Sequence, residues 1–343
     1  MTSNCSATAA QTAIQLLTMP QREYKINDMT CSVHAAQQLT PRDLAILQMV
    51  AQYDGCAVHH LYRRLWRDGS CISGCYRRID ILAAGRYVRK RQLPTLASHG
   101  SGKALITLGP RGRRLLSEVL DDSELSALDR RREVAAFFAE HHFALCDFRV
   151  ALEQAAERLP GLSIAGWVVE STLRRTPIRV TDSSVSHGGP APTITLIPDA
   201  AFQLSSANTN QTAYLEMDMG TITPNRLLQR LRGYLLLTIS LAEPIPLFFV
   251  TVSLSRVAQV LATVDAQAHE LHADPTTIFV TTCAEAIKDT VLTDPIWYRA
   301  RVDKPAAIIP SCGVPTERQH SPVVFEQSAP LDHEKSTHNG VSA

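Results

Sequence analysis

The sequence predicts a mixed α/β chain in two modules, an amino-terminal winged helix-turn-helix followed by an α/β domain. Three short amphipathic segments precede two strand-like runs that flank a glycine-containing loop. Helical and strand-like periodicities then alternate in the order α-β-β-β-α-β-α-β. The charge is also divided between the modules. Across 343 residues the net charge is only +1, yet residues 40–115 hold 14 Lys and Arg against 4 Asp, which is +10 and leaves about −9 elsewhere. A basic, polyanion-seeking module joined to an acidic one is the expected result.

Residues 1–38 are rich in Thr, Ser, Ala and Gln and lack sustained periodicity, so they predict a flexible arm with a short helix near 9–17. Thr40 is placed to cap the first helix, and Pro41 fits its first turn without losing a needed hydrogen bond. Leu44, Leu47, Met49, Val50 and Tyr53 form its apolar face, and Asp54-Gly55 ends it. A second helix runs through Val58, Leu61, Leu65 and Trp66 to Asp68-Gly69. A third spans about 73–84, with Cys75, Ile79, Leu82 and Ala83 inward, Tyr76, Arg77 and Arg78 outward, and Gly85 as its stop. Runs 87–93 and 103–108 flank His99-Gly100-Ser101-Gly102 as a hairpin. Residues 39–120 therefore predict the winged helix.

A duplex groove admits one helix, and a basic hairpin can lie along the neighbouring backbone. Candidate contacts to double-stranded DNA are Arg77 and Arg78 on the third helix, Arg89, Lys90, Arg91 and Lys103 on the hairpin, and Arg63 and Arg64 on the second helix. Arg63, Arg64 and Arg67 could instead balance the acidic second module. A protein-binding winged helix would use the same basic face to steer an acidic partner.

The second module is expected over 121–302. Val134, Phe137, Phe138, Leu145, Phe148, Val150, Leu152 and Ala156 predict a helix over 133–159, with His141-His142-Phe143 read as a packing feature at a helix start. Strands are expected at 163–173, 193–204 and 213–217, with a loop at 182–192. A helix at 224–238, a strand at 246–252, a helix at 256–269 and a strand at 277–282 complete the order. Residues 303–343, rich in Pro, Ser, His and charge, predict a disordered tail. The most apolar stretch, 234–261, is broken by Glu243, Pro244 and Pro246, which excludes a membrane span. Eight scattered Cys without an apolar signal segment suggest reduced thiols and a cytoplasmic location.

Chemistry is concentrated where Pro198-Asp199 ends one strand-like run and Glu216-Met217-Asp218-Met219-Gly220-Thr221 ends the next. Carboxylates delivered to adjacent strand ends can hold a divalent cation beside a phosphate. Asp199 and Glu216 are the candidate ligands for Mg²⁺ or Mn²⁺ and, with Asp218 and Glu170, the candidate catalytic set. Arg230, with Arg226 and Gln229 nearby in sequence, is placed to reach the phosphate. The competing arrangement has Asp218 bonding the Gly220-Thr221 turn and Glu216 paired with an Arg of the next helix, which leaves a catalytically silent scaffold. Cys56, His59, His60, Cys71 and Cys75 lack the close, repeated spacing of a structural zinc site. Neither a Walker-type loop nor a Ser/His/Asp or Cys/His triad is identifiable.

Pro-Asp at one strand end and Glu-x-Asp at the next resemble the PD-(D/E)xK nuclease-like fold, with its α-β-β-β-α-β core. More specifically, the winged-helix pattern, His141-His142, Trp167 with Glu170, Ile197-Pro198-Asp199-Ala200, and Leu215 to Thr221 followed by Leu227, Leu231 and Tyr234 resemble the replication-relaxation family of plasmids and other mobile elements. The resemblance covers about residues 39–282. It implies a DNA-binding protein acting in replication, maintenance or DNA relaxation, with duplex DNA and replication or mobilisation proteins as partners. Nucleases of this fold carry a Lys where this chain has Asp218, and the family often has an Arg where Met219 stands. Two alternatives accompany this reading: a metal-dependent nickase or endonuclease using Asp199 and Glu216, and a protein-interaction scaffold.

Overall fold

The computed structural model describes residues 39–67, 69, 71–93, 103–118, 139–185, 190–206 and 209–309. The expected amino-terminal arm with its short helix, the hairpin tip and the tail beyond residue 309 lie outside the described residues.

Helix α1 (Pro41–Gln52) begins with a reciprocal cap, in which the Asp43 N–H donates to Thr40 Oγ1 and the Asp43 carboxylate accepts the Thr40 N–H at 2.6 Å. Strand β1 (Cys56–Ala57), helix α2 (Val58–Leu65) and helix α3 (Ile72–Ala84) follow. Strands β2 (Val88–Gln92) and β3 (Ala104–Leu108) pair antiparallel, and β1 adds to β3, giving the order β1-β3-β2. Ile46, Leu47, Leu61, Ile79, Leu82 and Ile106 form the buried centre of this module. Helix α4 (Pro110–Ser117) closes it, and at Gly112 a Cβ would stand 2.2 Å from the Tyr87 carbonyl oxygen, so the contact requires glycine.

The second module is built on a five-stranded sheet. Helix α5 (Ala139–Arg158) leads into β4 (Ser163–Val169), the short helix α6 (Glu170–Leu173), and the paired strands β5 (Ile178–Thr181) and β6 (Thr193–Leu196). Then come β7 (Ala200–Ser205), β8 (Asn210–Asp218), α7 (Pro224–Ser240), β9 (Leu247–Thr251), α8 (Leu254–Leu271), β10 (Ile278–Thr282) and α9 (Cys283–Ala286). The strands lie in the order β10-β9-β8-β7-β4; β7 runs antiparallel to both of its neighbours, β4 and β8, whereas β8, β9 and β10 are parallel and are joined by the crossovers α7 and α8. Helices α7 and α8 and the β5–β6 pair cover one face. Helix α5 and residues 286–308 supply much of the other. Strands such as β9, Leu247-Phe248-Phe249-Val250-Thr251, are continuously apolar because both faces are buried.

Several elements differ from their sequence expectations. The run 193–204 is two strands, because the chain turns at Ile197-Pro198-Asp199: β6 pairs with β5 and β7 joins the main sheet. The strand expected over 163–173 stops at Val169, where the Glu170 N–H donates to the Asp199 carbonyl at 3.0 Å and α6 begins. Packing continues past Asp303, since Ala306 bridges to Trp297 and Ile308 is buried.

Helix α5 serves both modules. Cys146 and Val150 complete the amino-terminal core, while Phe148, Ala151 and Leu152 face the sheet. No helix among the described residues is long and apolar enough to cross a membrane.

Candidate functional site

The turn at Asp199 and the end of β8 bring two of the expected carboxylates together. The Asp199 N–H donates to the Leu215 carbonyl at 3.0 Å, and its Oδ2 accepts the Met217 N–H at 2.8 Å. His141, in the first turn of α5, places Nε2 3.1 Å from the same oxygen. Glu216 is 1% exposed and accepts the Tyr234 hydroxyl at 2.7 Å on Oε1 and the Arg230 guanidinium at 2.7 Å on Oε2. Residues 230 and 234 lie one turn apart on α7, so one helix face supplies both donors.

The other two candidates diverge. Asp218 accepts the Gly220 N–H at 2.9 Å and Arg256 Nε, from the first turn of α8, at 2.7 Å. Glu170 lies near enough to act electrostatically on His141, but its carboxylate pairs with Arg174.

Burial, together with neighbouring Asp199, pushes the Glu216 carboxyl up to about 8 against the pull of Arg230 and Tyr234. Burial opposes charge on His141, but the Asp199 carboxylate, with Glu170, outweighs it and raises the imidazole above its ordinary value. Burial likewise opposes charge on Arg230, and Glu216 with Asp199 overrides it.

Mg²⁺ and Mn²⁺ need several oxygen ligands with open coordination. Here Glu170, Glu216 and Asp218 are each paired with an arginine, respectively Arg174, Arg230 and Arg256, and Asp199 is paired with His141. Glu216 must in addition lose a proton that burial helps it retain. The donor set in this arrangement does not fit a divalent cation.

Among the described residues, one group has three metal-type ligand atoms close together, His59, His60 and Asp147. It lies where α2 meets α5. The Nε2 atoms of His59 and His60 are 3.3 and 3.2 Å from Asp147 Oδ1, and an Arg63 guanidinium nitrogen is 3.2 Å from the same oxygen. His60 Nδ1 accepts the Ala57 N–H at 2.9 Å, so a neutral ring carries its proton on Nε2, which lies 3.2 Å from Asp147 Oδ1 without the geometry of a hydrogen bond. In that tautomer the protonated Nε2 has no lone pair for a metal, and Arg63 already donates to the same Asp147 oxygen. Cys56 and Cys75 are buried elsewhere in the amino-terminal core, where burial raises both thiols.

The basic candidates separate into two sets. Arg63 donates to the Ile287 carbonyl at 2.7 Å as well as pairing with Asp147, Arg64 binds Glu153 at 2.9 Å and Glu157 at 2.6 Å, and Arg67 pairs with Glu157. Arg63 and Arg64 of α2, and Arg67 just beyond its end, thus face α5 and its neighbours. Arg78 is likewise held by buried Asp43.

Arg77 is exposed on α3, as are Arg89, Lys90 and Lys103 on the hairpin; Arg91 is half-buried. Lys90 bonds Asp80 at 2.7 Å, and Lys103 sits 5.8 Å from the centre of the Phe143 ring. Arg89, Lys90, Arg91, Leu105 and Thr107 line a surface groove of about 220 Å³. Exposed Ile72 and Tyr76 extend the surface of α3 beside Arg77.

Two contacts of this cluster have little sequence signal. His141 was read as a packing residue, and Arg256 lies 38 positions beyond Asp218, so only the tertiary fold joins them. Comparison with curated proteins and with solved structures yields no match. The model of the replication-relaxation family matches residues 47–242, more than half of the chain, from within α1 to just past α7. That span includes the basic hairpin, the Asp199 turn, Glu216 and Arg230, and on this match the chain belongs to the replication-relaxation family.

Proposed function

We propose that the protein binds duplex DNA through its amino-terminal module, in the replication or maintenance of a plasmid or other mobile element. The observation that carries this reading is the division of the arginines. Those of α2 are consumed at the contact with α5, while Arg77 on α3 and Arg89, Lys90 and Arg91 on β2 lie on the other basic surface. A helix with Ile72, Ser73, Tyr76 and Arg77 exposed suits a major groove, where Arg reads base edges or phosphate and apolar groups meet thymine methyls. The hairpin beside it suits the flanking phosphates. Family membership supports the replication setting. The α/β domain receives no cleavage step, because Asp218 stands where a nuclease of this type would carry Lys and is itself held by Arg256.

The test is fluorescence anisotropy of a labelled duplex across a salt series. If Arg77, Arg89, Lys90, Arg91 and Lys103 all contact phosphate, the slope of log K against log salt should approach roughly −4.5. Replacing Arg89, Lys90 and Arg91 by Ala should make that slope shallower by about 2.7 and weaken binding to every sequence. Salt-independent binding, or unchanged binding by the triple variant, would overturn the proposal. Loss of binding to an acidic protein partner with duplex binding absent throughout would favour the interaction-scaffold alternative.

A further inference from the structure

We infer that Arg230 stands where a divalent cation would have to sit between Asp199 and Glu216, so that this end of the sheet is an internally neutralised clasp. The inference is independent of duplex binding by the amino-terminal module. It rests on protein donors standing at three of the four carboxylate oxygens of Asp199 and Glu216. Glu216 has one donor on each oxygen, Tyr234 on Oε1 and Arg230 on Oε2. Asp199 Oδ2 receives both the Met217 N–H and His141.

The four-residue spacing of Arg230 and Tyr234 lets α7 present both donors together, while His141 approaches from α5. The clasp therefore joins helices that pack on opposite faces of the sheet. Asp218, which would be the remaining nearby carboxylate on β8, is diverted to the Gly220 turn and Arg256. A metal ion would have to displace the guanidinium from Glu216 before that carboxylate could ligate it. The Arg230 side chain is 36% exposed, so it is a removable counter-ion, not an immovable plug.

This competition gives a gain-of-binding experiment on the full chain. Free Mn²⁺ has a six-line electron paramagnetic resonance signal that is lost on binding, so its amplitude reads occupancy without any activity assay. At micromolar Mn²⁺ the unaltered protein should leave the amplitude unchanged. Arg230→Gln, with Arg230→Ala as a second variant, should take up about one equivalent per chain, and adding Asp199→Asn should abolish the uptake. Arg230→Lys should behave like the unaltered protein, because it restores a cation at the same place.

Circular dichroism establishes that each variant is folded before its binding is read. Uptake of Mn²⁺ by the unaltered protein that disappears in Asp199→Asn would overturn the inference. So would folded Arg230→Gln and Arg230→Ala proteins that bind no Mn²⁺, since removing the guanidinium would then have released no site.

Discussion

His60 shows how much a single side chain can reveal about the junction between the modules. It is fully buried, accepts the Ala57 N–H through Nδ1 and turns Nε2 toward Asp147. Burial depresses its pKa to about 4, against an ordinary value of 6.5. Between those values the unfolded chain binds the additional proton, so stability should fall as the pH is lowered through this window, by up to roughly 3 kcal/mol. His141 contributes in the opposite sense: its pKa is raised, so its stabilisation is present below 6.5 and lost as pH rises through the folded value. Chemical denaturation of the protein and of His60→Asn at pH 7 and pH 5 separates the two. The variant should lose much of the acid-side dependence, and an unchanged profile would refute this account of His60. Neither contact was legible in the sequence. His59-His60 and Asp147 are 87 or more positions apart, and a histidine pair carries no local mark of whether it meets a carboxylate, a metal or an apolar wall.

At the level of elements, periodicity and capping exposed most of the long helices. Thr40-Pro41 marked the start of α1 because the cap is chemically local, and α7 and α8 follow their apolar stripes. The corner at Pro198-Asp199 was hidden because both flanking runs are apolar, and strand periodicity does not disclose a change of partner. Strand β1, only two residues long, leaves almost no periodic signal. The packing of α4 gives a direct test of element placement. Gly112→Ala would put a methyl 2.2 Å from the Tyr87 carbonyl oxygen, and backbone movement should cost about 1–3 kcal/mol. Gly74→Ala is the control, because its new Cβ meets nothing closer than Trp66 Nε1 at 3.9 Å and should stabilise α3 by about 0.5–1 kcal/mol. Thermal denaturation reads both; equal shifts of the same sign would show that the α4 contact is not as tight as described.

For the whole molecule, the charge distribution points to a basic and an acidic part, but nothing in it discloses how their cores meet. Arg149 illustrates the difference: its guanidinium lies 4.2 Å from the Tyr53 ring centre and 5.1 Å from that of Trp167, and it bonds the Gln52 carbonyl at 2.7 Å. Tyr53 belongs to the first core and Trp167 borders the second, so neither run of sequence contains the contact. Because α5 contributes to both cores, unfolding one should expose apolar surface of the other. In each single-tryptophan variant, retaining Trp66 or Trp297, tryptophan fluorescence and far-ultraviolet circular dichroism should therefore report the same denaturation midpoint. Two separated midpoints would show that the modules fold as independent units. The shared helix also has a mechanical consequence. Since one helix is built into both cores, the amino-terminal module cannot turn about α5 without also disturbing the packing of that helix on the five-stranded sheet.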